Sequence, residues 1–174
     1  MQRKNSKNLI SIAIYQLMHT YPYNKINVKL ICEKAGVSRM SFYRYYSKKE
    51  DIFINFSDER FAEFYELYMQ DKEITMSSFI RNIFFYFKKF SRQIRMLEKA
   101  GMMDILIEPF ERYTAYLLQN DKSKALEEFH SNPHFVPYFA GGLFNVLLYW
   151  CKGDFKMTED EMTKHFERIF LINK

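Results

Sequence analysis

The chain has 174 residues, 48% of them hydrophobic and 18% aromatic, which is ample for a packed core and excludes global disorder. Its net charge of +5 is uneven: residues 1–50 carry ten basic and two acidic side chains, a net +8, and the other 124 residues sum to −3. A basic head on a slightly acidic body points to a polyanionic partner at the N-terminus.

Only five glycines and four prolines are present, so long stretches lack breakers and favour helices. Cys32 and Cys151 each sit in an apolar helical pattern and make no disulfide framework; buried free thiols in a reducing cytoplasm are expected. The run Leu9–Met18 follows basic residues as in a signal peptide, but Ser11 and Gln16 interrupt it and no small-residue cleavage site follows. Tyr138–Cys151 is too short to span a bilayer and contains Asn145, so it reads as a buried helix and no membrane partner is expected.

In chain order, Leu9, Ile10, Ala13, Ile14, Leu17 and Met18 predict an amphipathic helix over 5–20, ended before Tyr21-Pro22. Asn27 caps a second helix, Val28–Ala35, and Gly36 supplies a turn that tolerates positive φ. Ser38 caps a third, Arg39–Tyr46. Ser47-Lys48-Lys49-Glu50 fits a capping box that opens a long helix to about Gln70, and Asp71-Lys72-Glu73 breaks it. Thr75 caps the next, to about Ser91. Further helices are expected over 92–99, 102–118 and, briefly, 122–129. An apolar helix follows Pro133 and Pro137 and ends near Cys151. Thr158-Glu159-Asp160-Glu161 is a second capping box, opening a last helix to about Ile172. The chain is predicted to be all-α, with about nine helices and no repeats.

The segment with chemical content is Asn27–Tyr46, NVKLICEKAGVSRMSFYRYY, with its extension SKKEDI. Ala35 is small where two helices would cross, and Gly36 permits the tight turn of a helix-turn-helix. At about 100° per residue, Phe42 and Tyr46 point to one side of the third helix, towards a core. Met40, Ser41, Tyr43 and Arg44 point to the other, with Arg39 at the margin, a face suited to a major groove. This segment resembles the helix-turn-helix of TetR/AcrR-family transcriptional regulators: a capped helix ending in Ala-Gly-Val-Ser, an aromatic-rich recognition helix, then a basic, acidic and apolar start to helix four. The resemblance extends over roughly residues 4–64, leaving 65–174 as a regulatory and dimerisation domain.

The resemblance implies that Tyr43 and Lys49 clamp phosphates and that Asn27 touches the backbone. Arg39, Met40, Ser41 and Tyr45 are candidates for base or mixed contacts, with Arg44 on the same face. Met40 stands where the family usually has a small residue, so the operator cannot be borrowed. Ser47 replaces a common proline and still caps.

Residues 76–118 are heavy in large apolar groups, mostly core. The resemblance implies a small-molecule pocket among them, for which Phe84, Met96, Met103, Phe110 and Tyr113 are candidates. It also implies a homodimer through the last two helices, with Phe135, Phe139, Gly142, Val146, Tyr149, Phe166 and Phe170 as interface candidates and Ala140, Gly141 and Gly142 allowing close approach. His130 and His134 have metal-pair spacing, but Pro133 breaks the helix between them and no third ligand is near, so no metal is expected. No phosphate loop or nucleophile elbow appears, nothing requires an enzyme, and no cofactor is expected. The expected function is a cytoplasmic, dimeric repressor released from double-stranded operator DNA by a hydrophobic or amphipathic effector. The rival reading is a helix-turn-helix regulator controlled by a protein partner or by abundance.

Overall fold

Ile10, Ala13, Ile14 and Leu17 are buried on one stripe of helix α1 (Gln2–Met18). That stripe packs on α2 (Val28–Ala35) and α3 (Arg39–Tyr43), through Ile31, Cys32, Ala35 and the wholly buried Phe42. The computed structural model describes residues 2–70, 75–120 and 132–170. After the head come α4 (Asp51–Gln70), α5 (Met76–Lys89), α6 (Ser91–Lys99), α7 (Ile107–Asn120), α8 (Phe135–Lys152) and α9 (Glu159–Phe170). Among the described residues, two 3-10 turns, Tyr23–Lys25 and Met103–Leu106, complete the regular structure and no strand occurs. No described helix is long and apolar enough to cross a membrane.

The caps fall largely where the sequence puts them. Asn27 Oδ1 accepts from Leu30 N at 2.9 Å, and Ser38 Oγ from Ser41 N at 3.1 Å. Thr75 and Ser78 cap α5 reciprocally, and Thr158 with Glu161 caps α9 in the same way. That contact holds the Glu161 carboxyl below its usual range, because the Thr158 amide donates to it and then its hydroxyl.

The Ser47–Glu50 box does not form. The Ser47 and Lys48 amides donate instead to Asp51 Oδ2, at 2.8 and 3.0 Å, and α4 begins at Asp51. Asp51 reaches back over its own first turn and displaces Glu50, whose carboxylate is engaged elsewhere. Three other boundaries differ. Helix α3 stops at Tyr43, because Arg44 and Tyr45 lead out in a turn that still presents Tyr46 to the core. The expected 102–118 helix is split: Gly101 turns the chain at φ +67°, Met103–Leu106 is 3-10, and Pro109 lies in the first turn of α7, where its missing N–H costs nothing. Glycine does not take the left-handed turn after α8; Asp154 and Phe155 do, at φ 59° and 55°. Phe155 is held there by the Trp150 ring at 4.9 Å and by its own N–H to Trp150 O. The expected break at 71–73, the short helix at 122–129 and the end near Ile172 lie outside the described residues.

In the body, α5 packs on α9 and α7 on α8, around Phe79, Phe84, Phe139, Leu143 and Leu147, all with no exposed surface. Cys32 and Cys151 are free and buried, and burial pushes the Cys151 thiol up to about 11.

Gly36 ends α2 in the left-handed conformation at φ +66°, with nothing within 4 Å of where a Cβ would stand. The substitution Gly36→Ala therefore meets no clash and carries only the backbone cost, about 1 kcal/mol. Thermal unfolding followed by circular dichroism is expected to show a lower Tm without loss of helicity.

Candidate nucleic-acid interface and cavity

The two sides of α3 separate as its periodicity requires. Phe42 and Tyr46 are inside the head; Met40 is 78% and Tyr43 50% exposed, and Arg39 and Arg44 are exposed beside them. Ser41 is half-buried, and Tyr45 lies partly against the core, so it offers less surface than its neighbours. Tyr43 stands edge-on to Phe42 at 5.4 Å, which fixes the direction of its hydroxyl. Asn27 is exposed, with its Oδ1 committed to the cap, so its amide nitrogen is the end that would meet a phosphate.

Lys49 has a second role that its sequence position did not signal. Its ammonium donates to Tyr23 O at 3.0 Å and Ile26 O at 2.6 Å, and lies 3.9 Å from the Tyr23 ring centroid. The Tyr23 hydroxyl in turn donates to Glu50 Oε1 at 2.6 Å. Burial, then this bond, then the Glu50 charge all push the Tyr23 phenol far above its ordinary value. Adjacent residues of opposite charge just before α4 thus grip the loop that carries Asn27. An ammonium has three N–H donors, so one remains for an anion while two hold the loop.

Behind the head lies a cavity of about 160 Å³, walled by Tyr15 of α1, by α4, α5, α6 and α7, and by Phe144 of α8. Eleven of the described side chains that line it are aromatic. Phe61 stacks on Tyr113 at 3.9 Å, closing one wall, and Arg112 pairs with Asp58 at 2.8 Å to tie α7 to α4. Tyr15 meets Phe53 and Phe56 edge-on, each at 5.7 Å. Its hydroxyl is buried with no hydrogen-bond partner, and burial raises that phenol well above its ordinary value.

Of the five expected pocket residues, Phe110 and Tyr113 line the cavity. Phe84, Met96 and Met103 do not. Phe84 is wholly buried against Trp150 and Phe166, Met103 is buried elsewhere, and Met96 is half-buried off the cavity. Tyr15, Phe56 and Arg60 were missed, because the cavity draws on the DNA-binding segment as well as the body.

The expected interface residues also divide. Phe139 is 0% and Phe166 4% exposed, packed on each other at 5.9 Å, and Phe135 is buried with Phe139. These belong to the chain's own core, not to its surface. The outward face of α8 is instead Tyr138, Gly142, Asn145 and Tyr149, with Val146 half-buried, and Ile169 of α9 is exposed. The side chain of Phe170 lies outside the described residues. Of the expected histidine pair, His130 is outside them too, and no cluster of three His, Cys, Asp or Glu placed for a metal occurs among those described.

Residues 12–55 match the model of the bacterial regulatory proteins of the tetR family. No curated protein sequence matches the chain. Among solved structures the fold is similar to that of the fatty acid degradation regulator FadR from Bacillus halodurans. The TM-score is 0.57, over 95% of this chain and 94% of that one, at 15% identity.

Two predictions separate the roles of the head's residues. Lys49→Ala removes two charge-assisted bonds to carbonyls, about 1.5–3 kcal/mol each. It is expected to lower the Tm and to weaken binding to every DNA sequence. Arg39→Ala is expected to leave the Tm alone and change the ranking of operators; melting curves and a DNA library selection distinguish the two. Stability should also begin to fall above about pH 8.5, the thiol value in the unfolded chain, because the folded body retains the Cys151 proton, and the fall should steepen above about pH 10, the phenol value there. Beyond that pH the unfolded chain sheds tyrosine protons that the folded head retains at Tyr23. Tyr23→Phe should shallow that fall in an alkaline denaturation series.

Proposed function

We infer the finer function from one premise: through its N-terminal domain the chain belongs to the TetR family of bacterial regulatory proteins, and it is a DNA-binding transcription regulator. The proposed protein is a homodimeric repressor that leaves its operator when a small molecule enters the cavity. The observation that carries this reading is that the cavity is lined by both parts of the chain. Tyr15 and Phe53 belong to the head's packing and also border the space enclosed by the body. A ligand there touches the structures that orient the recognition helix, so its binding energy can differ between DNA-competent and DNA-incompetent arrangements. The domain limits remain those the sequence suggests, 4–64 and 65–174, with α4 shared between them.

In the head, Arg39, Met40, Ser41 and Tyr45 are assigned base or mixed contacts, with Arg44 beside them on the exposed face. Tyr43, Lys49 and Asn27 are assigned phosphates. One such head contacts too few bases for operator-level affinity, so two copies must act together. The proposed dimer surface is the outward face of α8, Tyr138–Gly142–Asn145–Tyr149, with Ile169 of α9. Its exposed rings, 71% at Tyr138 and 80% at Tyr149, flank a position without a side chain. An effector-free regulator is the competing reading.

Titration of operator DNA with and without a bound ligand tests the sensor directly. Linkage requires the operator to weaken ligand affinity by the same factor by which the ligand weakens operator affinity. A ligand bound equally well with and without operator is no effector. For the dimer, Gly142→Glu places a carboxylate in the centre of the proposed seam, at a cost of about 3 kcal/mol if buried unpaired. The variant should keep its helical circular dichroism, sediment as a monomer, and lose specific operator binding while keeping weak, salt-sensitive DNA affinity. A dimeric variant with normal operator binding would put the interface on another surface.

A further inference from the structure

The cavity says more than that something enters it. Among the described residues, Arg60, on α4, is the one charged side chain that lines it, and the other polar groups there are Ser57, Gln93, Thr114 and tyrosine hydroxyls. The guanidinium is held from outside: its Nη2 contacts Glu63 Oε1 at 2.8 Å and Glu59 Oε2 at 3.9 Å, and Glu59 is shared with Lys7 at 2.7 Å. These partners leave Nε untouched, and it is buried with no hydrogen-bond partner among the described residues. The Tyr15 hydroxyl is in the same condition on the same cavity. Both groups abut one ring, Phe56: its centroid lies 5.7 Å from that of Tyr15 and 5.3 Å from Arg60 Cζ.

Two buried donors without acceptors, both beside the Phe56 ring in one aromatic chamber, define what the chamber lacks. A buried N–H or O–H left unpaired is costly and normally finds a partner. The missing partner is a group rich in acceptors and poor in donors, and a carboxylate offers two acceptor oxygens. A cationic guest would gain from the ring faces, as in aromatic cages. Here, however, the faces of Phe56 and Phe90 already carry Arg60, at 5.3 and 5.5 Å, so a second cation would sit beside the first. Size narrows the guest further. An engineered apolar cavity of about 150 Å³ takes up benzene, and this one is about 160 Å³.

We propose that the cavity binds a compact one-ring monocarboxylate, its ring against the Phe56, Phe61 and Tyr113 walls and its carboxylate between Arg60 Nε and the Tyr15 hydroxyl. This rests on the sensor reading above and specifies its ligand. The carboxylate then bridges α4 and α1, the body's wall and the head's first helix. Lipophilic cations are disfavoured as primary ligands by Arg60, and a long acyl chain would not fit within about 160 Å³ without extending through the cavity's open side.

Isothermal titration calorimetry on the full chain, with phenylacetate, 2-phenylethanol, 2-phenylethylamine and palmitate, tests this. Phenylacetate is expected to bind at least tenfold tighter than the matched alcohol and amine. Arg60→Met should reduce phenylacetate to the level of the alcohol and leave the alcohol's affinity unchanged. Tyr15→Phe should weaken phenylacetate severalfold. Should Arg60→Met fail to fold by circular dichroism, Arg60→Lys, which keeps the charge without Nε–H, is expected to lose part of the preference. The proposal is overturned if the amine binds tightest, if palmitate exceeds every one-ring probe, if none binds, or if neither Arg60 variant alters the ratio of acid to alcohol. Operator release is scored separately by fluorescence anisotropy. Phenylacetate that binds with the expected preference but leaves operator affinity unchanged removes the sensor reading and keeps the cavity chemistry. A different compound that occupies the cavity and releases operator keeps the sensor and removes this proposal.

Discussion

Tyr15 packs edge-on against Phe53 and Phe56, and much of the molecule's logic follows from having to satisfy that contact. Phe53 has no exposed surface; its ring lies 5.9 Å from Tyr23 in the loop before the helix-turn-helix, and it also borders the cavity. Helix α4 therefore has to fit two environments at once. Near its start it completes the head, through Ile52 and Phe53; further along it walls the body, through Phe56, Ser57, Arg60, Phe61 and Phe64. Interiors are packed too densely to deform continuously, so a helix shared in this way passes a shift at one end to the other.

The Lys49–Tyr23–Glu50 contacts extend the same constraint into the loop before the helix-turn-helix. Lys49 and Glu50, the residues just before α4, hold two carbonyls and a phenol of the segment that leads to Asn27, and so set where α2 begins. On the proposed reading, a lysine so engaged would be a better phosphate ligand than a free one, because less side-chain entropy is lost when an anion arrives. The basic head and acidic body act on a longer range, drawing DNA to the correct end of the molecule before any of these contacts form.

Local chemistry was legible in the sequence, and packing between distant segments was not. Asn27, Gly36, Ser38, Thr75 and Thr158 act within three or four residues of themselves, so their caps and turns could be read from spacing alone. The inward and outward sides of α3 follow from 100° steps for the same reason. The Ser47 box failed because two acidic residues competed for one helix end and tertiary partners decided the outcome: Tyr23 took Glu50, and Asp51 took the amides. Phe139 and Phe166 show a deeper limit. An apolar stripe reports that a surface will be covered, but not whether by its own chain or by another copy. Phe84 and Met103 illustrate the same point for the cavity, since composition does not distinguish a side chain that fills space from one that borders a void.

Such a void runs against folding. Each buried donor left without an acceptor costs about 1–3 kcal/mol, and unfilled space forfeits dispersion contacts on every side chain that borders it. Natural domains retain only a few kcal/mol of net stability, so a void lined by eleven aromatic rings and two unsatisfied donors is a large concession for a body this small. Simple remedies lie within one substitution: phenylalanine at 15 would remove one orphan hydroxyl, and a larger side chain at Ser57 or Thr114 would occupy space. The chain adopts neither. The destabilising groups are gathered at one place, and that place is where the DNA-binding helices meet the rest of the molecule. A defect that a ligand would cure stabilises the ligand-bound arrangement by whatever the empty one forgoes, and that difference is the energy available to move the head.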